Sequence, residues 1–462
     1  VSVRDVADPY SLPPKVLAFG RNVYFPEPGS GSGVYGRPGF QLSNADAPLG
    51  DEDAGRIGQG IVVATIEDGT EINFLCSGGK LYRVDPGFAV FEDVTPVDRT
   101  IDQGTRVHLT PFSNRLLVND DINPPWVASD LQASPITGTA ITYSTDGVPW
   151  RASGPARIYD GAAVWLVRYR DDEARTSRIA WSEADDPFTG YFQTDFDNEW
   201  DVVENNANAI YALLGTNSAI DYFRGDSIGY LSGTIGADFE TTATKDAIDA
   251  SVGSRAPASI IAYSQWIYFV DEKGRVHRVQ QSGGLEALWK QHRRVVNLAP
   301  TGFADGIARM ACAALVPELD LYLVAIWSPD PTQSLPQFPT TLYAFHAETG
   351  KYVGEWTIGD GIAVHAMGIL AGVDGQRVLA VLGTKDAAAT PQPLGVGGYL
   401  WTLSELADGI WADNGIVPDI VVTTAPLGYD PDLMLTIDEA VAVVQELETD
   451  STPSAIDLVV DD

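Results

Sequence analysis

Basic residues are scarce in this chain. Lys and Arg total 29 against 63 Asp and Glu, leaving a formal charge of −34 and a pI near 4.3 over 462 residues. Gripping a phosphate backbone needs clustered Lys and Arg, so nucleic-acid recognition is excluded as the main task, as is docking on anionic membranes. Such a surplus promotes solubility and repels nucleic acid, and a saline environment would favour the same balance. Histidine is rarer still: His108, His277, His292, His346 and His365. No two of them lie four residues apart and there is no H-E-x-x-H, so metal-ligand spacing is absent. There is no G-x-S-x-G elbow and no P-loop, and Gly395-Val396-Gly397-Gly398 is too loose to cradle a phosphate. No catalytic, cofactor-binding or metal-binding residue is assigned on this basis. The two cysteines, Cys76 and Cys312, each sit in an apolar run and read as buried thiols, not as a disulfide or metal pair. No apolar stretch approaches the roughly 20 residues of a membrane helix. Nor does an apolar core follow Val1-Ser2-Val3-Arg4-Asp5, so no export signal is expected there.

What the chain does have is apolar and aromatic residues, at 45% and 10%, arranged in short runs. Between Arg178 and Gln280 one pattern is written twice. Strand-like runs such as Arg178-Ile179-Ala180-Trp181-Ser182, Ile220-Asp221-Tyr222-Phe223 and Trp266-Ile267-Tyr268-Phe269-Val270 are cut by turns such as Asp271-Glu272-Lys273-Gly274. Such runs form antiparallel strands joined by hairpins. Seven middle strands can be counted, beginning at Ile72, Arg115, Ala163, Ile220, Trp266, Leu321 and Arg377. Each is followed by a strand bearing an aromatic or His: Tyr82, Trp126, Trp181, Tyr230, His277, Tyr343 and Trp401. That is 319 residues over six intervals, a mean near 53. A strand–turn–strand–turn–strand unit recurring at about this spacing suggests a propeller blade. A string of β-sandwiches also gives short strands at regular spacing, but no composition break divides the array into sandwich-sized pieces. The expected fold is therefore all-β, a propeller of about seven (six to eight) antiparallel blades. Residues 1–50 form an extended N-terminal arm, 51–410 the propeller, and 411–462 C-terminal strands that are candidates to close the ring. Trp165, Trp266 and Tyr322 are expected to be buried between blades.

Two acidic patterns remain as candidate sites. Asp195-Phe196-Asp197-Asn198-Glu199-Trp200-Asp201 has carboxylates at alternate positions, as calcium loops do, but lacks the Gly and distal Glu of an EF-hand; a solvated face is the simpler reading. Ser144-Thr145-Asp146-Gly147-Val148-Pro149-Trp150 resembles a shortened Asp-box, the hairpin motif of sialidase-type propellers, and marks a turn, not a catalytic site. No carboxylate pair is singled out for glycoside hydrolysis.

A resemblance emerges from the order of the pieces: Trp181-Ser182, Asp186-Pro187, Tyr222-Phe223, Ser227-Ile228-Gly229-Tyr230, then Trp266-Ile267-Tyr268-Phe269-Val270 with Gly274. Together with Gly36-Arg37-Pro38-Gly39-Phe40 before the first blade, this resembles the tail nozzle and tail hub β-propeller proteins of short-tailed double-stranded-DNA bacteriophages. The match covers about a third of the chain. The resemblance implies a virion tail protein without catalytic residues or cofactors. It also implies self-assembly into a ring, a hexamer by analogy, joined to an adaptor or portal-side ring. Genomic DNA would pass through without specific binding, and nothing would insert in a membrane. A wall of acidic subunits would repel DNA weakly and let it slide. The alternatives are a glycan-binding or glycan-hydrolysing propeller, supported by the Asp-box-like turn, and a cytosolic scaffold. The arm carries Leu17, Phe19, Tyr24, Phe25, Tyr35 and Phe40, which need burial against a blade, a neighbouring subunit or an adaptor. Deleting residues 1–40 is expected to weaken the ring, and ionic strength to strengthen it by screening like charges.

Overall fold

Hairpin turns set the architecture. Asp160-Gly161 and Gly78-Gly79 have positive φ at both positions (49° and 77°; 54° and 76°), the left-handed pair that reverses a two-residue hairpin without splaying its strands. In the computed structural model such turns fold most of the described chain into seven blades built on meanders of sequence neighbours, with a separate two-stranded pair, Val23–Tyr24 with Tyr35–Gly36. The structure describes residues 17–24, 35–50, 57–141, 150–170, 173–189, 198–202, 209–216, 218–236, 238–249, 251–280, 283–288, 311–326, 338–359, 361–385, 397–404, 413–414 and 421–424.

The chain is a seven-bladed antiparallel β-propeller. Blade 1 runs Gly58–Thr65, Glu71–Ser77, Lys80–Val84 and Phe91–Asp93; blade 2 runs His108–Phe112, Arg115–Asn119, Trp126–Ser129 and Thr137–Ala140. Blade 3 comprises Trp150–Tyr159, Ala162–Arg170, Glu173–Trp181 and Glu199–Asp201. Ile210–Gly215, Ile220–Arg224, Ile228–Ser232 and Thr244–Asp249 make blade 4, and Ile261–Tyr263, Trp266–Val270, Val276–Gln280 and Leu285–Ala287 make blade 5. Blade 6 is Cys312–Val316, Leu321–Ala325, Thr341–His346 and Tyr352–Thr357. Blade 7 is Val364–Ala371, Arg377–Gly383 and Tyr399–Leu403, completed by Phe40–Leu42 from the arm. The first strands of successive blades pack on one another around the axis. All seven middle strands read from the sequence are the second strands of their blades, and the seven marker residues lie on the third.

The core lies between blades. Second strands bury both faces, which is why they read as nearly unbroken apolar runs; Leu321–Ala325 is buried at every position. Trp150 and Trp165 meet edge to face at 6.0 Å, and Tyr268 stacks on Tyr322 at 4.8 Å across the seam of blades 5 and 6. Trp165 and Tyr322 are thus interior, as expected. Trp266 is not. It opens its strand at the hairpin end, is only partly buried, and lies under the Arg278 guanidinium at 3.9 Å. An aromatic at that position shields a cation instead of filling a seam.

Candidate functional site

Asn22 and residues 37–42 meet residues 399–404 and 413–414 at one point. Pro38 and Gly39 lead the arm into Phe40–Leu42, which pairs antiparallel with Tyr399–Leu403 (Phe40 opposite Leu403, Leu42 opposite Trp401). The last strand of the ring is thus supplied by the first part of the chain, which removes the open edges a propeller would otherwise carry. Just before it Arg37 turns inward, and its guanidinium pairs with Asp413, 376 residues away. Both side chains are fully enclosed.

Such a pair survives only when every lone pair and proton is used. Arg37 donates to the Pro38 carbonyl at 2.7 Å, to the Thr357 carbonyl, to Asn22 Oδ1 at 3.2 Å and to both Asp413 oxygens. Asp413 also accepts the amides of Phe40 at 2.7 Å and Gly359 at 2.6 Å. Asn22, in the left-handed region (φ 53°), accepts the Thr357 amide at 2.9 Å and sends its own amide to the Glu355 carbonyl at 2.6 Å. Asn414 donates to the Phe40 carbonyl. One carboxylate therefore holds the closing strand, the arm and the turn between blades 6 and 7.

Beyond Asn22 the arm continues outward. Leu17–Arg21 lies parallel to the outer strand of blade 6, with Arg21 opposite Glu355, and pairs antiparallel with Val421–Thr424. Blade 6 is thereby widened to six strands by the two chain ends. Pro26–Gly33, and residues 425–462 with Ile437–Leu447 and Ile456–Val460, lie outside the described residues.

Side chains from one blade also satisfy backbone groups of the next. The Asn73 amide, in blade 1, donates to the Ala371 carbonyl and accepts the Ala371 amide, both at 2.8 Å, across the closing seam. Tyr322 donates to the Ser259 carbonyl at 2.8 Å. Four of the five histidines lie on strands; His365 serves in the same way, and the other three face carboxylates of their own blades. His365 Nδ1 accepts the Gly58 amide at 3.1 Å; burial, and the nearby Arg106 cation, pull its pKa down to about 3. His277 Nε2 lies 3.0 Å from Asp271 Oδ2, and its ring stacks on Phe269. Burial pushes the Asp271 carboxyl up, but His277 and Arg275 outweigh it and hold the pKa below the ordinary value. His346 Nε2 is 3.3 Å from Asp320, whose other oxygen accepts the Tyr263 hydroxyl at 2.6 Å; that bond, with burial, raises the tyrosine to about 12. His108 lies 3.7 Å from Asp121.

The residues carrying the family resemblance have structural tasks too. Trp181 is buried and donates to the Gly236 carbonyl at 3.2 Å. Ser182 Oγ accepts the Ala163 amide at 2.9 Å, and Asp186 caps its own turn by accepting from Phe188 and Thr189. Cys76 and Cys312 are free and buried, and burial raises both thiols. Among the described residues no group of three or more His, Cys, Asp or Glu could hold a metal. Residues 195–197 of the calcium-like stretch, 144–149 of the Asp-box-like turn, His292 and Gly395-Val396 lie outside the described residues. In the remainder of the former, Glu199 and Asp201 bind Arg178. A pocket between blades 6 and 7, lined by Leu319, Arg377, Leu403 and Ser404 among others, has room for about one water molecule. No helix among the described residues is long and apolar enough to cross a membrane. The signal that the sequence reading missed was Arg37-Pro38-Gly39-Phe40 as a closing strand with a buried cation.

No family model matches the chain, and no curated protein sequence matches it. Solved structures do, at 10% identity. A luciferin-regenerating enzyme aligns over 82% of this chain and 100% of its own, with a TM-score of 0.39. U3-55K aligns over 80% and 100% with a TM-score of 0.47, and BamB from Moraxella catarrhalis over 79% and 96% with 0.40. These are distant likenesses of overall fold, and no residue's role is taken from them.

Proposed function

We propose that this chain is a structural protein of a phage tail, a nozzle or hub subunit, that assembles into a ring and forms part of the DNA exit conduit. It performs no chemistry of its own and resides in the virion. Its partners are further copies of itself, an adaptor or portal-side ring, other tail proteins, and DNA in transit. The observation that carries this reading is the arm. Gly36-Arg37-Pro38-Gly39-Phe40, the arm motif of the resemblance, is anchored by a buried ion pair, and the chain before it runs out to the edge of blade 6. A segment fixed at its root and added outside blade 6, where Val421–Thr424 covers it in turn, builds a widened rim for a neighbouring molecule to meet. The conduit lies at the axis of the ring of subunits, where a charge of −34 per chain faces DNA weakly and repulsively.

The test is the mass of the assembly by light scattering, for the full chain and for a chain lacking residues 1–21, at low and high salt. Deletion of 1–40 is a poorer test, because it removes Asn22, Arg37 and Phe40 and so opens the propeller itself. The full chain is expected to form a ring, about six copies by the resemblance, favoured by ionic strength, and the truncated chain a smaller species. A monomer under all conditions that acts on oligosaccharides would replace this reading with the glycan-directed propeller.

A further inference from the structure

The innermost strands carry a charge pattern opposite to that of the molecule. None of the seven contains an Asp or Glu, in a chain with 63 of them. Their Arg and His side chains are Arg151, Arg157, His108 and His365, and Arg106 stands just before the second of them. Arg106 reaches the His365 carbonyl of blade 7 at 2.9 Å. The innermost strands thus lack acids of their own inside an acidic protein, although Asp121 reaches in from blade 2 to the Gly154 amide.

Arg157 is the unusual member. Its Nε donates to the Leu213 carbonyl on the innermost strand of blade 4 at 2.7 Å. Its two Nη groups make no hydrogen bond within the described residues, and they are not among the polar atoms sealed from solvent without a partner. Among the described residues the guanidinium also has no carboxylate beside it; burial pulls its pKa down to about 10. Desolvating a cation without a counter-charge is costly, and elsewhere here the cost is met by acids: Asp413 for Arg37, Glu286 for Arg278, Glu199 and Asp201 for Arg178. The side chain is only partly buried, so its free donors keep contact with solvent where the innermost strands of blades 3 and 4 meet.

We propose that Arg157 makes the axial channel a binding site for a small oxyanion of the phosphate class. The planar fork of a guanidinium presents two parallel N–H groups to two oxygens of a tetrahedral anion, and no Asp or Glu of the innermost strands stands against it. The surrounding negative field keeps larger polyanions out. This proposal does not depend on the tail-protein reading.

The experiment uses the intact chain and inorganic phosphate, with ionic strength held constant by chloride. Bound phosphate should broaden its ³¹P resonance, sulfate should compete, and near-saturating phosphate should raise Tm by about 1 °C. Arg157→Met should abolish the broadening. Arg157→Lys, which keeps a charge in the channel and protects against a variant that fails to fold, should weaken binding about tenfold. Arg99→Met, at an exposed ion pair, should bind as the parent does. Absence of broadening in the parent chain overturns the proposal, and so does broadening that persists in Arg157→Met or in Arg157→Lys at full strength.

Discussion

Replacing Asp413 by Asn keeps the shape of the latch and removes its negative charge. One carboxylate oxygen accepts from Arg37 Nη1 and the Phe40 amide, the other from Arg37 Nη2 and the Gly359 amide. An Asn must present its NH₂ to one of these sites, where donor then faces donor. The Arg37 cation stays enclosed, with the Pro38 and Thr357 carbonyls, Asn22 Oδ1 and the one remaining amide oxygen at 413 to solvate it. Breaking a buried pair by removing one partner costs about 3–5 kcal/mol; the remaining acceptors place this case near 3 kcal/mol. Arg37→Met in the same chain should relieve much of that loss, because it removes the stranded charge. The cycle of single and double variants should therefore show a coupling of about 2 kcal/mol. Urea unfolding followed by Trp fluorescence and by circular dichroism gives each value as a shift in midpoint at unchanged slope. A loss below about 1 kcal/mol for Asp413→Asn, or additive single variants, would refute the latch as the element that closes the ring.

Three further outcomes follow from the same packing. His365 is neutral when folded with a pKa of about 3, against 6.5 when unfolded, so the unfolded chain binds the extra proton between those values. Its contribution is complete above pH 6.5 and is lost as pH falls toward 3, by at most about 1.4 kcal/mol per pH unit; His365→Asn should flatten stability against pH in that window. Asn73→Ala strands the Ala371 amide and carbonyl in the seam between blades 1 and 7 and should cost about 2–4 kcal/mol in the same melts, whereas a loss under 1 would mean that water replaces the amide. Trp165→Ala should cost about 3–5 kcal/mol and Trp266→Ala clearly less, because only the first is fully interior; equal losses would contradict the assigned burial.

Strand order was legible because the second and third strands of a blade are buried on both faces or nearly so. Leu321-Tyr322-Leu323-Val324 and Trp266-Ile267-Tyr268-Phe269-Val270 have to be apolar runs, and a run with a Gly or Asp turn on each side has few alternatives. Outer strands are different. Thr244–Asp249 is mostly exposed and reads Thr-Lys-Asp-Ala-Ile-Asp, which composition cannot tell from a loop. The closing strand Phe40-Gln41-Leu42 is three residues long behind a Pro-Gly pair, and its identity as a strand comes from pairing with residues more than 350 positions away. Local propensity carries no information about such a partner.

The candidate site was opaque for a related reason. Arg37 and Asp413 are unremarkable as letters among 29 basic and 63 acidic residues; what distinguishes them is enclosure, which only ring closure creates. The same holds for Arg157, whose significance is the lack of an acid near it in space. His277 and His365 were readable as strand residues, since each lies within an apolar stretch of a strand that packs on a neighbouring blade. Isolated histidines on buried strands accept or donate one bond and stabilise the seam they face. In a propeller whose buried charges such as Arg37 and Arg278 are met by acids, a buried cation left without one is the group to test for binding. Among the described residues Arg157 has unused donors and no carboxylate beside it.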